Sequence, residues 1–311
     1  MNYPNIKVYL NNNPKCSAKL ENIAKKEVWD MENIPFIRVF GSGFDNGNKL
    51  IKVIVNNRIL EEDEIEIDNN YFDLKIELEK PLKNPKKVEV IIDKKEYEIP
   101  IILRKLTGKV KYANGDYVKK PVISVTGEDS LVVGDKLGNF EISIHGNKDS
   151  IGVFEKNYTK KTLESWLYNI NILEDKHLDI TIDKMEVYGI HMWKGQNSDY
   201  IHFIPMSLTK AREAMKKDYD NELDLLKNNP WPKLNRKNLK VFANDKEIDI
   251  LSFKEVSDFL ANVDDKTYTR PGYVLSIPKG YEGKLIKLVI EDKYLIDDKE
   301  IFEMGEGYYF W

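Results

Sequence analysis

Cysteine occurs once, at Cys16, so no disulfide can close within the chain, and there are only four histidines, His145, His177, His191 and His202. Spaced so widely, they give no zinc signature, and neither a redox role, a structural metal nor a cofactor is implied. A basic excess is missing too. Lys and Arg number 48 against 52 Asp and Glu, a net charge of -4, which leaves nothing to neutralise a phosphate backbone and excludes nucleic acid as the expected partner. No apolar run approaches the roughly 20 residues that a membrane helix needs. The opening MNYPNIKVYLNNNP lacks a basic start followed by an apolar stretch and a small-residue cleavage site. The expectation is a chain that neither inserts in a membrane nor leaves by an ordinary signal. The familiar catalytic signatures are also missing: there is no G-x-S-x-G, no H-E-x-x-H, no phosphate-binding glycine loop with lysine, and no Cys–His pair in a recognisable setting. The expectation is a protein that is not an enzyme.

What the chain has is length, aromatics and alternation. Its 311 residues allow two or three domains. With 17 Tyr, 12 Phe and 5 Trp among 41% hydrophobic residues it should fold, and 32% charged residues with a mean hydropathy of -0.51 should keep it soluble. Residues 5–104 consist of short strands between turns: Ile37 and Val39 flank Arg38, Ile51, Val53 and Val55 repeat at period two, and Leu74, Ile76 and Leu78 alternate with charges. Gly41-Ser-Gly43-Phe-Asp-Asn-Gly47 is a turn and not a dinucleotide fingerprint, since the β-type run Leu50-Ile-Lys-Val-Ile-Val follows it where a helix would be required. The acidic run from Glu61 to Asp68 lacks the glycine-broken spacing of a calcium loop and reads as a solvated strand edge. The order strand, G-x-G-F turn, KLIKVIVNN and KKVEVIIDKKEYEI, over residues 34–101, resembles the IPT/TIG immunoglobulin-like domain.

Residues 106–154 carry the punctuation of a second all-β module: Gly108 opens a strand, Asn114-Gly115 makes a tight turn, Pro121 starts the next strand and Asp135-Lys-Leu-Gly138 turns into a third. In that third strand Phe140, Ile142 and Ile144 alternate with Glu141, Ser143 and His145. The pattern G-x-V-x(4)-G, P-V-x-S-V, D-x-x-G-x-F resembles the carboxypeptidase regulatory-like domain, and the resemblance implies a transthyretin-like β-sandwich without catalysis of its own. Residues 159–173 fit a short helix or a strand, and the alternating residues 177–185 close the module.

A third module begins near Glu186. Its opening VYGIHMWKG has the strand-then-glycine order of residues 37–47, and its end echoes residues 73–97, so the sequence describes a diverged repeat around a central linker module. The expected architecture is all-β: tandem immunoglobulin-like and transthyretin-like sandwiches over residues 1–104, 105–185 and 186–311, with a helical insertion in the last. That insertion holds two helices. One is an amphipathic helix of about five turns carrying Leu208, Ala211, Met215, Tyr219, Leu223 and Leu226 and stopping before Pro230. The other is short, with Ser252 as N-cap, Glu255 three residues on, and Leu251 facing Val256 as a staple.

The binding candidates are aromatic: Trp193 and Trp231 in the third module, and the terminal Tyr308, Tyr309, Phe310 and Trp311. Such side chains stack on sugar faces, form protein interfaces or fill cores. His191, His202 and Asp199 could share a metal, although residues so spaced on irregular strands are usually ordinary polar groups. Two functions follow. One is a structural component of a phage virion or tail-like particle assembled in the host cytoplasm, which the Lys-, Asn- and Ile-rich composition of an AT-rich genome fits. The other is a cell-surface or periplasmic carbohydrate-binding or adhesion protein. Either way the expected partners are proteins, as a homo-oligomer or particle contacted through residues 207–231 and 308–311, or a surface glycan.

Overall fold

Alternation of apolar and polar residues at period two is realised nearly throughout as antiparallel strands. A computed structural model describes residues 4–22, 27–128, 130–215, 231–263, 266–296 and 298–311. The first module comprises β1 (Asn5–Asn11), β2 (Cys16–Asn22), β3 (Glu27–Asn33), β4 (Phe36–Ser42), β5 (Gly47–Val55), β6 (Arg58–Ile67), β7 (Tyr71–Glu77), β8 (Lys87–Ile92) and β9 (Lys95–Pro100). Sheet β1-β4-β7 packs on sheet β6-β5-β8-β9. Their shared core holds Ile37 and Val39 from one layer and Ile51, Val53 and Val55 from the other, the residues whose alternation marked these strands.

The hairpin β2–β3 leaves this sandwich. Its Leu20 packs with Val122, Leu131 and Phe154 of the middle module. Buried asparagines fix the joint: Asn11 Nδ2 donates to Asn33 Oδ1 at 2.9 Å, Asn33 Oδ1 also accepts the Leu131 amide at 3.1 Å, and Asn13 Oδ1 accepts the Ser143 amide at 2.7 Å. Buried amides of this kind are tolerated because each donor and acceptor is met.

The middle module contains β10 (Leu103–Tyr112), β11 (Val122–Val125), β12 (Ser130–Val133), β13 (Asn139–His145), β14 (Lys148–Phe154), β15 (Ser165–Ile170), β16 (Lys176–His177) and β17 (Ile180–Ile182). The ambiguous stretch therefore resolves into a strand, β15. The alternating residues 177–185 do not form one closing strand. They break into the short β16 and β17, both parallel to β10, and the start of the next strand.

The third module has β18 (Met185–Lys194), β19 (Asp199–Ser207), α1 (Leu208–Met215), β20 (Leu239–Ala243), β21 (Lys246–Ile248), β22 (Ser252–Val263), β23 (Lys266–Ile277), β24 (Leu285–Ile296) and β25 (Lys299–Phe310). Leu208 and Ala214 of α1 are buried; the remainder of the expected five-turn helix, with Tyr219, Leu223 and Leu226, lies outside the described residues. The helix expected at Ser252 is a strand. Ser252 Oγ lies 2.6 Å from Ser276 Oγ instead of capping, and β22 runs antiparallel to β23 over its length. Phe253, Val256 and Phe259 suit a pleated surface better than a helix, and eleven cross-strand pairs outweigh one local capping signal.

The middle and third modules have separate cores, Met185 entering the third and Tyr308 the middle one, and a single sheet spans both. The order β12-β11-β14-β15-β25-β24-β20-β21 is a single eight-stranded sheet. The last strand makes the connection, antiparallel to β24 and parallel to β15, with Trp166, Leu167 and Tyr168 opposite Gly307, Tyr308 and Tyr309. Sheet β13-β10-β16 covers one half and sheet β18-β19-β23-β22 the other. β18 crosses β25 so closely that a Cβ on Gly307 would stand 2.8 Å from Val187 Cβ, and one on Gly305 would stand 2.5 Å from the Met185 carbonyl oxygen.

Candidate functional site: an aromatic face on the third module

Successive residues of β18 and β19 point to opposite faces. Met192 and Ile201 face each other and enter the core, so their neighbours Trp193 and Tyr200, also directly paired, stand on the outer face. The two rings stack at 13° with centroids 5.3 Å apart, and His191 continues the stack on Trp193 at 6.1 Å. Trp193 remains 38% exposed. The turn that joins the strands is closed by the Gly195 amide on the Ser198 carbonyl at 2.9 Å. Glycine is required there, since a Cβ would meet Tyr200 Cε2 at 2.4 Å.

Register carries the face across the sheet. Trp193, Tyr200, Ser276 and Ser252 form one row, and His191, His202, Val274 and Lys254 the next. His202 lies over Gly272, where a Cβ would come within 2.8 Å of its Nε2. Burial lowers the His202 pKa below the usual imidazole value, with Asp258 opposing that shift. The ring is therefore neutral at physiological pH and offers one donor and one acceptor. Farther along, Arg270 donates to Asp258 Oδ2 at 2.7 Å and to the Tyr188 hydroxyl at 2.7 Å, which compensates its charge. The face thus combines aromatic surface with the Ser252 hydroxyl, the His202 imidazole and, at its edge, the exposed Lys254.

The other sequence candidates go elsewhere. Trp231 is buried and borders a small cavity of about 280 Å³ between Pro232 and the β22–β23 hairpin. Tyr308 is fully buried in the middle core and Tyr309 is buried in the third. Phe310 packs against the middle core, and Trp311 against the third, where its Nε1 donates to Asp199 Oδ2 at 3.3 Å. The terminal aromatics pack onto their own chain. Asp199 is completely buried on the side opposite His191 and His202, so the three do not converge on a metal. Among the described residues no group of three or more His, Cys, Asp or Glu is placed to hold one, and no helix is long and apolar enough to cross a membrane. Tyr200, Ser252, Ser276 and His202 were not singled out as a set, because only strand register brings them beside Trp193.

No protein-family model matches the chain, and no curated protein matches it. A solved structure described as a "putative carbohydrate binding protein" from Bacteroides uniformis ATCC 8492 aligns over 66% of this chain and 97% of its own, with 11% sequence identity and a TM-score of 0.21. At that score the likeness bears on neither fold nor site.

Proposed function

We propose that the chain is a non-enzymatic binding protein that holds a glycan on the outer face of sheet β18-β19-β23-β22. The observation that carries this reading is the near-parallel stack of Trp193 on Tyr200, open to solvent and bordered by Ser252, Ser276 and a neutral His202. Sugar rings present flat C–H faces to aromatic side chains and hydroxyls to polar ones, and both kinds of group stand side by side here. The first two sandwiches, which resemble IPT/TIG and carboxypeptidase regulatory-like domains, serve as spacers that carry this face. Assembly into a virion or tail-like particle is suggested by composition and module type, and no feature of the fold adds to it.

The test is a glycan array followed by titration of the best hit against the wild type and Trp193→Ala. A loss of at least tenfold in affinity is expected, with the melting temperature recorded because the aromatic pair also clamps the hairpin, worth about 0.5–1.5 kcal/mol. A clear hit that survives Trp193→Ala and Tyr200→Ala unchanged would overturn the assignment.

A further inference from the structure

Between β16–β17 and the face of β24–β25 lies an open cleft of about 1090 Å³, slightly larger than the usual ligand pocket. Its floor is apolar: Leu178, Leu285 and Phe310 are half-buried at the margin of the middle core. The exposed amides of Asn169, Asn171 and Asn244 stand around it. Ionic groups of both signs also line the cleft: Lys284 and Asp245 are exposed, and the others come with partners. Lys176 is 2.6 Å from Glu174, Asp179 is 3.1 Å from Lys111, and Glu306 is 3.9 Å from Lys287. Glu306, itself buried, accepts the Thr181 amide at 3.1 Å and the Tyr308 hydroxyl.

These features select among ligands. A net anion or cation would meet charges of both signs, Lys284 with Asp245 and the paired groups alike, and so no field of one sign. An extended peptide adding to a strand would need open backbone donors, but the Thr181 amide of β17 is taken by Glu306, and β25 is paired on both sides at residues 307–309. A purely apolar ligand would desolvate the exposed Asn171, Lys284 and Asp245 side chains without replacing their water. A neutral, polyhydroxylated chain suits all three parts of the lining. We infer that this cleft is a second carbohydrate site, specific for a neutral oligosaccharide and separated by the third module's core from the Trp193 face.

The experiment uses the full chain and a panel of neutral hexasaccharides (cellohexaose, xylohexaose, mannohexaose and chitohexaose), with binding followed by calorimetry in a Trp193→Ala background so that the cleft is read alone. At least one hexasaccharide should bind, and its Kd should rise at least tenfold when the cleft is filled from an exposed position by Asn171→Trp or, separately, by Asp245→Trp, with melting temperature as the control for folding. The inference is overturned if Trp193→Ala alone abolishes all binding, if both filled variants bind as before, or if the wild type binds no member of the panel. Binding that Trp193→Ala leaves untouched and Asn171→Trp removes would sink the reading of the aromatic face while supporting the cleft.

Discussion

Truncating Tyr308 to alanine isolates the role of the last strand. The side chain is fully buried in the middle core, where Leu167 lies opposite in the parallel register of β15, and its hydroxyl donates to Glu306. Replacing a large buried aromatic residue by alanine costs about 3–5 kcal/mol, from lost transfer energy and the cavity left behind. Domains of 150–250 residues lose about 2–4 °C of melting temperature per kcal/mol, so a drop on the order of 6–20 °C is expected. Tyr308→Phe keeps the ring and removes only the donor, leaving Glu306 Oε2 with the Thr181 amide; its cost should be about 1–3 kcal/mol. Calorimetric melting and urea titration give the energies, and light scattering gives the mass. The expected result is a graded loss, alanine well beyond phenylalanine, with the mass unchanged. A fall in mass without a change in melting temperature would refute the intrachain role and return the terminal aromatics to an interface between copies. A shift below about 2 °C for Tyr308→Ala would refute the packing argument itself.

Gly307→Ala should destabilise by about 1–3 kcal/mol through overpacking against Val187, measured by urea unfolding; a neutral effect would mean that β18 and β25 can separate without cost. Asn33→Ala should cost a similar amount, since it leaves the Leu131 amide without its acceptor and removes one of the two acceptors of Asn11 Nδ2, and should lower the temperature at which the first two modules part in calorimetry. Glu164 and Glu186 are buried beside each other next to Tyr158 and Trp166; burial raises both carboxyl pKa values, and the neighbouring Glu164 adds to the rise at Glu186 while the hydrogen bond with Glu186 opposes it at Glu164. The folded state therefore binds more protons than the unfolded chain, and this contribution to stability is present at acid pH and lost as pH rises above the ordinary carboxylate range near 4.5. Glu186→Gln should flatten the fall in melting temperature between acidic and neutral pH; an unaltered profile would remove the pair as its cause.

Strands were legible wherever one face was wet. Arg38 between Ile37 and Val39, and Glu141 between Phe140 and Ile142, announce both the strand and its buried side, and the Asn114-Gly115 turn is where the pattern put it, with Gly115 at φ 89°. Two kinds of information were out of reach. Ser252, Glu255 and Val256 make a convincing helix start in isolation, and only Ser276 and the rest of β23 explain why it loses. β25 was hidden for a different reason: Glu303, Gly305, Glu306 and Gly307 look like a polar turn, yet the glycines admit β18, and Glu303 is satisfied by the Ser207 hydroxyl at 2.7 Å and the Tyr294 hydroxyl at 2.6 Å. Half of the aromatic face was likewise visible as Trp193, whereas Ser276 joins it only through its long-range pairing with Tyr200, and Ser252 only through Ser276.

The adjacent tyrosines of β25 give the chain its mechanical logic. Side chains alternate across a strand, so Tyr308 and Tyr309 must enter different layers, and here each layer is a different core. Losing β25 would remove a wall from the middle and third cores at once, which makes these two modules one cooperative unit despite their separate hydrophobic clusters. The first module is attached otherwise, through the asparagine joint and the docked β2–β3 hairpin, and among the described residues shares no sheet with them. A ligand on the Trp193 face or in the β17–β24 cleft therefore binds to a body braced by one eight-stranded sheet. Its affinity should be insensitive to changes in the first sandwich and should fall with any substitution that loosens β25, in proportion to the fraction unfolded.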